Sequence, residues 1–135
     1  MEIREYTEYD EKEILPVYEA VGWVNYTKDP ERLAEAYRRS LCTLAAYHRG
    51  ELAGIVRAVG DGHSILYIQD LLVLPQFQRR GVGTALIRAV LEKYPRVYQT
   101  VLMTDDSPAT AAFYGSLGFK SVQSMGCAAY LKMRG

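Results

Sequence analysis

The stretch LLVLPQFQRRGVGTALIRAV, residues 71–90, constrains the fold more than any other part of this 135-residue chain. It begins as a continuous apolar run, passes a proline and two arginines, turns at Gly81 and Gly83, and continues with apolar residues at helical spacing. This pattern predicts a strand that leads through a glycine turn into an amphipathic helix. The start of such a helix carries partial positive charge and unpaired backbone N–H groups, so it favours a phosphate group.

Two common phosphate-binding motifs do not fit this stretch. A P-loop requires a lysine directly after its second glycine, and Thr84 stands after Gly83. A dinucleotide-binding fingerprint requires a third glycine three residues further on, where the chain has Leu86. Taken alone, the stretch is also compatible with a helix that begins at a glycine turn beside two solvated arginines.

The order of elements predicts an α/β (α+β) fold. Three apolar runs joined by glycine turns indicate an antiparallel meander, and the following helix and strand imply a parallel crossover. A splayed gap where the parallel and antiparallel parts meet is a natural ligand cleft. We expect 6–7 strands and about four helices: a strand in EIREY, helices over 10–21 and 30–40, the meander in LCTLAAYH, LAGIVRAVG and SILYIQDLLVL, a helix to Tyr94, a strand in RVYQTVLM, a helix from Ser107 to Gly118, and two strands in FKSVQSMGCAAYLKM.

Composition narrows the class of protein. The length and the 49% hydrophobic content predict one domain over residues 1–135. Sixteen basic and sixteen acidic side chains cancel, which argues against nucleic-acid binding through the arginine pair. The absence of a membrane-length apolar stretch and the acidic start of the chain predict a cytoplasmic protein without a membrane partner. Cys42 and Cys127 lie far apart in apolar runs, which predicts buried free thiols and no metal site.

Two motifs together resemble the GCN5-related N-acetyltransferases, the GNAT superfamily. QRRGVG, residues 78–83, is similar to the family's [QR]-x-x-G-x-[GA] signature, and TAAFYGSLGFKSV, residues 110–122, resembles its second hallmark. The order of elements matches the family's fold along nearly the whole chain, as in a small single-domain subgroup without one assigned substrate. The resemblance implies acetyl-CoA as co-substrate, no metal, and direct transfer of the acetyl group to a primary amine of a small molecule or peptide.

The resemblance also implies roles for individual residues. The strand residues Leu72, Val73 and Leu74 would border the pantetheine arm, and a backbone N–H near Leu72 or Val73 would polarise the thioester carbonyl. Tyr114 matches a tyrosine that protonates the departing thiolate in many members. Ser107 stands where many members carry a CoA-contacting asparagine, and its short hydroxyl also suits a helix cap. The pyrophosphate would be held by the backbone N–H groups of Arg79, Arg80, Gly81, Val82, Gly83 and Thr84. Gln78 and the Arg80 side chain would support the loop or the 3′-phosphate end of CoA.

Asp70 is the best internal candidate for the general base that an ammonium substrate requires. Strict alternation places it on the same face as Leu66, Ile68 and Leu72, where a carboxylate is unusual. Two readings remain open. In the first, burial tunes Asp70 for proton transfer; in the second, a β-bulge turns it outward into an ordinary hydrogen bond.

The acceptor is the least determined part of the prediction. Trp23, Tyr26 and Asp61 are candidate acceptor-binding residues, because they lie in loops with aromatic and polar side chains. A non-catalytic module that binds acyl-CoA without acylating an amine is the alternative function. Exposed terminal strands would also be compatible with a homodimer formed through the sheet.

Overall fold

The computed structural model describes residues 1–134, which divide into two compact units. The first unit, Met1–Met103, contains a five-stranded sheet. Its elements are β1 (Glu2–Glu5), α1 (Glu11–Ala20), α2 (Val24–Thr27), α3 (Pro30–Arg38), β2 (Cys42–His48), β3 (Glu51–Gly60), β4 (Ile65–Val73), a 3-10 turn (Pro75–Phe77), α4 (Val82–Lys93) and β5 (Gln99–Leu102). The second unit begins at Thr104 and contains α5 (Pro108–Ser116) and a 3-10 turn (Val122–Met125).

The sheet confirms the predicted mixture of antiparallel and parallel pairing. The strands lie in the order β1-β2-β3-β4-β5, with antiparallel pairing from β1 to β4. The helix α4 then connects β4 to β5, and these two strands pair in parallel. A helical crossover between parallel neighbours is the connection expected for such a pair.

The parallel ladder between β4 and β5 is short, because β5 ends at Leu102. β5 pairs with β4 only over Ile65–Ile68, so the edge of β4 that faces β5 is unpaired from Gln69 to Val73. The backbone groups along this stretch are therefore available to another strand or to an extended ligand. This free edge lies where the mixed topology predicts a cleft, and the splayed gap itself stays a prediction.

The helices of the first unit begin where local chemistry favours them. The Asp10 carboxylate accepts a hydrogen bond from the N–H of Lys12 at the start of α1. Asp29 accepts from the N–H of Arg32, and Pro30 occupies the first position of α3. These caps satisfy N–H groups that a helix start leaves unpaired. The helices bury Ile14, Val17, Tyr18 and Leu33 against the sheet residues Ala45, Ile55 and Leu72.

The predictions of 6–7 strands and of two terminal strands are wrong, because the sheet has five strands and none follows Leu102 in the described residues. Ser121 instead caps a 3-10 turn by accepting from the N–H of Ser124, and Gly126 ends the turn at a φ of +77°. A serine cap and a glycine with left-handed backbone favour a helical turn over a strand. Residues 127–134 form no helix or strand.

Two smaller expectations also differ from the structure. α2 is a one-turn helix inside the segment that the sequence suggested as a break, so residues 1–134 contain five α-helices rather than about four. Cys42 is buried as expected, whereas Cys127 is exposed. The apolar neighbours of Cys127 suggested burial, but no strand covers this segment in the described chain.

Candidate active site

The loop between β4 and α4 presents a row of unpaired backbone donors. None of the backbone N–H groups from Arg79 to Thr84 donates a well-formed hydrogen bond to another residue between 1 and 134. The φ angle is positive at Arg79 (+63°) and at Gly81 (+80°), and helical geometry begins at Val82. Alternation of left- and right-handed residues turns successive N–H groups into one concave surface, which binds anions. The loop therefore fits a phosphate group.

Two contacts fix the shape of this loop. The Gln78 side-chain amide donates a hydrogen bond of 3.1 Å to the carbonyl oxygen of Val73. The Arg80 guanidinium lies 5.8 Å from the centre of the Phe77 ring, which is buried. A Cβ atom at Gly81 would meet no atom within 4 Å, so the space in front of the loop is open. The exposed arginines thus lie at the rim, while the backbone provides the concave surface.

The predicted pantetheine-binding residues lie beside the open edge of β4. Leu72 is buried and pairs with Ile55 of β3, while Val73 pairs with Gly54 and is half-buried. The N–H of Leu74 donates to the carbonyl oxygen of Ala53 at 2.9 Å. On its other side, the same stretch of β4 has no strand partner. The end of β4 is thus held by β3 on one edge and is available on the other.

Asp70 lies in a buried polar cluster that also contains Tyr18, Tyr37 and Arg57. Its Oδ2 atom accepts hydrogen bonds from the Tyr18 hydroxyl at 2.7 Å and from Nε of Arg57 at 2.8 Å. The hydroxyls of Tyr18 and Tyr37 are 2.9 Å apart. Asp70 and Arg57 are 1% and 4% exposed, so the ion pair is shielded from solvent. The guanidinium and the Tyr18 hydroxyl thus give the buried carboxylate a counter-charge and a hydrogen-bond donor on one of its oxygens.

A β-bulge adjoins Asp70 but does not turn it toward solvent. Arg57 of β3 lies opposite Asp70, and Ala58 lies opposite Ile68, so Gln69 is the extra residue of β4. The bulge reverses the alternation, so Asp70 shares its face with Leu72 and not, as strict alternation predicts, with Leu66 and Ile68, whose partners begin at Ala58 on the other face. Asp70 is nevertheless 1% exposed. The outward-turned alternative is therefore wrong. The bulge lies at the point where β4 and β5 stop pairing.

The other carboxylate oxygen of Asp70 lacks a partner. Among the described residues, Oδ1 is one of two buried side-chain oxygen or nitrogen atoms without a hydrogen bond; the Tyr9 hydroxyl is the other. An unpaired buried carboxylate oxygen is unfavourable unless a ligand, a water molecule or a proton satisfies it. Asp70 is thus anchored through Oδ2 and free to accept through Oδ1.

The sequence prediction missed Tyr18, Tyr37 and Arg57 as partners of Asp70. Arg57 is the one charged residue within the apolar run LAGIVRAVG, as Asp70 is within ILYIQDLLV. Two isolated opposite charges on neighbouring strands of a meander can pair across the sheet. The two tyrosines carry no comparable signal, because buried tyrosines at helical spacing are common core residues.

The predicted acceptor residues Trp23 and Tyr26 lie against this cluster. The Tyr26 ring centre is 5.1 Å from that of Tyr18 and 6.3 Å from that of Trp23. The Tyr26 hydroxyl accepts a hydrogen bond of 3.2 Å from the side chain of Gln69. Burial raises the pKa of Tyr26, and the Asp70 carboxylate raises it further. Trp23 remains 39% exposed, so this aromatic surface reaches solvent beside the free edge of β4.

Asp61, the third predicted acceptor residue, lies in the turn between β3 and β4. Its carboxylate accepts hydrogen bonds from the Ser64 hydroxyl and from the N–H groups of His63, Ser64 and Ile65. These hydrogen bonds lower its pKa. This turn precedes the start of β4 at Ile65, whereas Tyr26 contacts Gln69 further along the same strand. The structure therefore does not bring Asp61 together with Trp23 and Tyr26.

Tyr114 and Ser107 belong to the second unit. Ser107 accepts a hydrogen bond of 3.2 Å from the N–H of Thr110 at the start of α5, which confirms its capping role. The Tyr114 ring packs edge-on against Phe113 and Phe119, at 4.9 and 5.7 Å between centres. Partial burial raises the pKa of Tyr114, and the Asp105 carboxylate adds to the effect. The Tyr114 hydroxyl therefore stays protonated at neutral pH.

Among residues 1–134, no group of three or more histidine, cysteine, aspartate or glutamate side chains is arranged to hold a metal ion. Within the same residues, each helix is too short or too polar to cross a membrane.

The protein-family model and the similar solved structures indicate the same family. A model of the acetyltransferase (GNAT) domain matches residues 7–134. A GNAT-family acetyltransferase structure from Streptococcus pneumoniae is 32% identical, with a TM-score of 0.90 over 98% of this chain and 97% of that one. An aminoglycoside N-acetyltransferase in complex with CoA shares the fold at 17% identity and a TM-score of 0.75, over 99% of this chain and 93% of that one.

Curated relatives are more distant and longer. An uncharacterised N-acetyltransferase from Pyropia yezoensis is 23% identical over 111 residues, which cover 79% of this chain. A relative from Porphyra purpurea is also 23% identical, over 109 residues. The chain spans 63% of the length of each of these relatives. The family model covers nearly the whole chain and agrees with the glycine loop and the mixed sheet, so the chain belongs to the GNAT acetyltransferase family.

Proposed function

We propose that this protein is an acyl-CoA-dependent N-acyltransferase that transfers an acetyl group from acetyl-CoA to a primary amine. The observation that carries the proposal is the row of free N–H groups from Arg79 to Thr84 next to the unpaired edge of β4. The first feature suits a pyrophosphate and the second suits an amide-containing extended arm. CoA contains both groups in one molecule, joined end to end.

The CoA site would be built mainly from backbone atoms. The N–H groups from Arg79 to Thr84 would hold the pyrophosphate, with Gln78 holding the loop and Arg80 placed at the rim. The pantetheine amides would pair with the edge beside Leu72, Val73 and Leu74, as an added strand does. Ser107, which caps α5, would add a contact through its hydroxyl. The CoA-bound acetyltransferase of the same fold supports this choice of co-substrate.

The transfer would take place directly between two bound substrates. The amine nitrogen attacks the thioester carbonyl carbon, and an N–H near Leu72 or Val73 stabilises the resulting oxyanion. The C–S bond then breaks, and Tyr114 gives its hydroxyl proton to the departing thiolate. The proton lost by the amine goes to Asp70 through Oδ1, the oxygen that Tyr18 and Arg57 leave free. Proton transfer to Oδ1 can pass through one water molecule, since Asp70 is buried.

The amine would bind beside Trp23 and Tyr26. These rings offer aromatic faces to a cation close to the buried Asp70 carboxylate. A small molecule or a peptide side chain with a primary amine fits this surface chemically. The Asp61 carboxylate already accepts hydrogen bonds within the turn between β3 and β4, so we assign Asp61 a role in that turn and none in binding the amine.

The proposal is tested by a thiol-release screen of the full chain. Acetyl-CoA is mixed with amines, amino acids, polyamines, aminoglycosides and peptides, and free CoA is measured over time. We expect turnover with at least one amine class and an N-acetylated product by mass spectrometry. CoA binding without turnover of any amine would instead support the alternative, a non-catalytic acyl-CoA-binding module. A chain that binds neither CoA nor acetyl-CoA would contradict both functions.

A further inference from the structure

Three rings at the end of α1 form an aromatic surface, which consists of Tyr18, Trp23 and Tyr26. The Trp23 ring centre lies 6.3 Å from the ring centres of both Tyr18 and Tyr26, and those two are 5.1 Å apart. Tyr18 is fully buried, Tyr26 is half-buried and Trp23 is exposed, so the surface extends from the core to solvent. A flat apolar group of a ligand can stack on rings that are already in place.

The backbone holds the aromatic surface close to β4. Gly22 has a φ of +81° after α1, and the N–H of Trp23 donates a hydrogen bond of 2.9 Å to the carbonyl oxygen of Tyr18. The one-turn helix α2 then positions Tyr26, whose hydroxyl accepts from the Gln69 side chain on β4. Because both ends of the surface are attached, little conformational freedom remains to be lost when a ligand binds.

The segment that carries the two accessible rings offers no carboxylate to a ligand. Residues 21–28, VGWVNYTK, contain no aspartate or glutamate and end in a lysine. The next residue, Asp29, accepts hydrogen bonds from both the backbone N–H and the guanidinium of Arg32. A molecule with several ammonium groups would therefore find no row of free acidic side chains along this segment.

Asp70 can serve a single ammonium group. Its Oδ2 atom is held by Tyr18 and Arg57, and Oδ1 is the one free oxygen. Burial raises the pKa of Tyr26; among charged groups, Asp70 raises it and Arg57 lowers it, so both charges act on the aromatic surface. The Asp70 charge is thus already balanced by Arg57, and a second ammonium group would lose water there without gaining a counter-charge.

We infer that the acceptor is a primary monoamine with an aromatic body, and that polyamines and aminoglycosides are poor acceptors. The ring of such an amine stacks on Trp23 and Tyr26, and its one nitrogen reaches the thioester beside Asp70. The inference rests on the proposed function and narrows its amine to one chemical class. The products are the N-acetylated amine, free CoA and the proton that the amine releases.

Trp23 is the only tryptophan of the sequence, so its fluorescence reports on the aromatic surface without any turnover. The full chain is saturated with CoA, and acrylamide quenching of the tryptophan emission is measured with 2-phenylethylamine, n-butylamine, spermidine or neamine at equal concentrations. We expect 2-phenylethylamine to lower the quenching constant roughly twofold or more, because a stacked ring covers the exposed part of Trp23. The other three amines lack an aromatic ring and should change it little.

Thiol release with the same amines tests the class during turnover. The kcat/KM for 2-phenylethylamine should exceed that for n-butylamine by roughly 10-fold, as for one buried ring contact, and should exceed those for spermidine and neamine by more. Trp23→Ala should raise the KM for 2-phenylethylamine roughly 5- to 10-fold with kcat little changed, since it removes binding shared by the ground and transition states. Trp23→Phe should keep most of the preference.

Tyr98→Ala is the matched control. It removes an aromatic side chain that is 88% exposed, and the N–H of Tyr98 donates to His63 in the turn before β4, away from the aromatic surface. This variant should keep the wild-type kcat/KM for all four amines and the same protection of Trp23. A loss of the preference for 2-phenylethylamine in Tyr98→Ala equal to that in Trp23→Ala would contradict the assignment to Trp23.

The two measurements distinguish failure of the inference from failure of the proposed function. A higher kcat/KM for spermidine or neamine than for 2-phenylethylamine would overturn the inference and leave the acetyltransferase function intact. Turnover of amines without any preference for an aromatic ring would do the same. Protection of Trp23 by 2-phenylethylamine without thiol release from any amine would support the ligand class and contradict the proposed reaction.

Discussion

At the scale of single residues, the two carboxylate oxygens of Asp70 have different roles: one is held by core residues, and the other is available for the proposed proton transfer. Arg57 and Tyr18 hold Oδ2, and the unpaired Oδ1 lies in the same buried cluster as the tyrosines that support Trp23 and Tyr26. The same side chain therefore stabilises the fold and is proposed to receive a proton. The two contributions can be separated, because stability depends on the Arg57 ion pair and the reaction depends on the charge at Oδ1.

Asp70→Asn should destabilise the protein and remove the acidic limb of the kcat/KM profile. The change leaves the buried Arg57 charge without its counter-charge, which costs about 3–5 kcal/mol of unfolding free energy. Urea denaturation measures this loss, and Arg57→Met/Asp70→Leu is the matched control that should recover most of it. An acidic limb that stays in place in folded Asp70→Asn protein would refute the base role while leaving the structural one intact.

Tyr114→Phe should lower kcat by about 10²-fold or more, with little change in the KM for acetyl-CoA, because it removes a proton donor for the thiolate. The pKa of Tyr114 is raised, so the donor is present at neutral pH and is lost only as the pH rises through a value above the usual 10. The wild-type rate should therefore fall at strongly alkaline pH, and the phenylalanine variant should lack that limb. Equal turnover across the pH range would remove the acid role.

At the scale of elements, the loop from Gln78 to Gly81 and the β3–β4 pair determine whether the CoA site can form. Gly81 takes a φ of +80°, and Gly54 lies where β3 passes close to both β4 and α4. Each of the two positions requires a glycine for a different physical reason. One provides a left-handed backbone at the helix start, and the other provides space beneath the helix.

Gly81→Ala should weaken CoA binding more than it weakens the fold. A left-handed alanine costs about 1–2 kcal/mol, while the open space around the position avoids any clash. If the loop relaxes to avoid this strain, the dissociation constant for CoA should rise by roughly 5- to 30-fold. Isothermal titration calorimetry measures the change. Gly115→Ala, which also meets no atom within 4 Å and has an ordinary φ, is the control that should leave CoA affinity unchanged.

Gly54→Ala should lower the free energy of unfolding, because a Cβ atom there would lie 2.8 Å from the carbonyl oxygen of Leu72 and 3.1 Å from a Val82 methyl group. The backbone oxygen cannot move without shifting β4, so we expect a loss of about 1–3 kcal/mol, as for other overpacked sites. Urea denaturation of the variant and the wild type measures it. An unchanged midpoint would mean that the two strands separate at little cost.

At the scale of the whole molecule, CoA should raise the free energy of unfolding, because it binds the native state and not the unfolded chain. Saturation at about 100 times the dissociation constant adds about 2.7 kcal/mol to the unfolding free energy. Differential scanning fluorimetry with CoA should therefore show a clear rise in Tm. Dephospho-CoA, which keeps the pyrophosphate, should give most of the rise, and pantetheine alone should give little. A larger shift with pantetheine than with dephospho-CoA would contradict the placement of the pyrophosphate at the loop.

Prediction from sequence succeeded where the signal is local. Residues 71–90 indicated the strand, the glycine turn and the helix, and Asp29, Pro30 and Ser107 marked the starts of α3 and α5. Each of these signals acts within one helical turn or one strand. The terminal strands were mispredicted, because strand formation requires a partner that the apolar pattern of residues 119–133 does not identify. The prediction of one domain over residues 1–135 stays a prediction.

The sequence by itself determined the family, the glycine loop and, apart from the one-turn helix α2, the order of elements up to β5, because caps, turns and hydrophobic periodicity are short-range properties. Only the tertiary structure decided that Asp70 stays buried with Arg57 and Tyr18. The hydrogen bonds that hold Asp70 join residues that are 13 and 52 positions apart in the sequence. Such contacts form when a strand bulge and a helix face come together, and that meeting is decided by packing of the whole sheet.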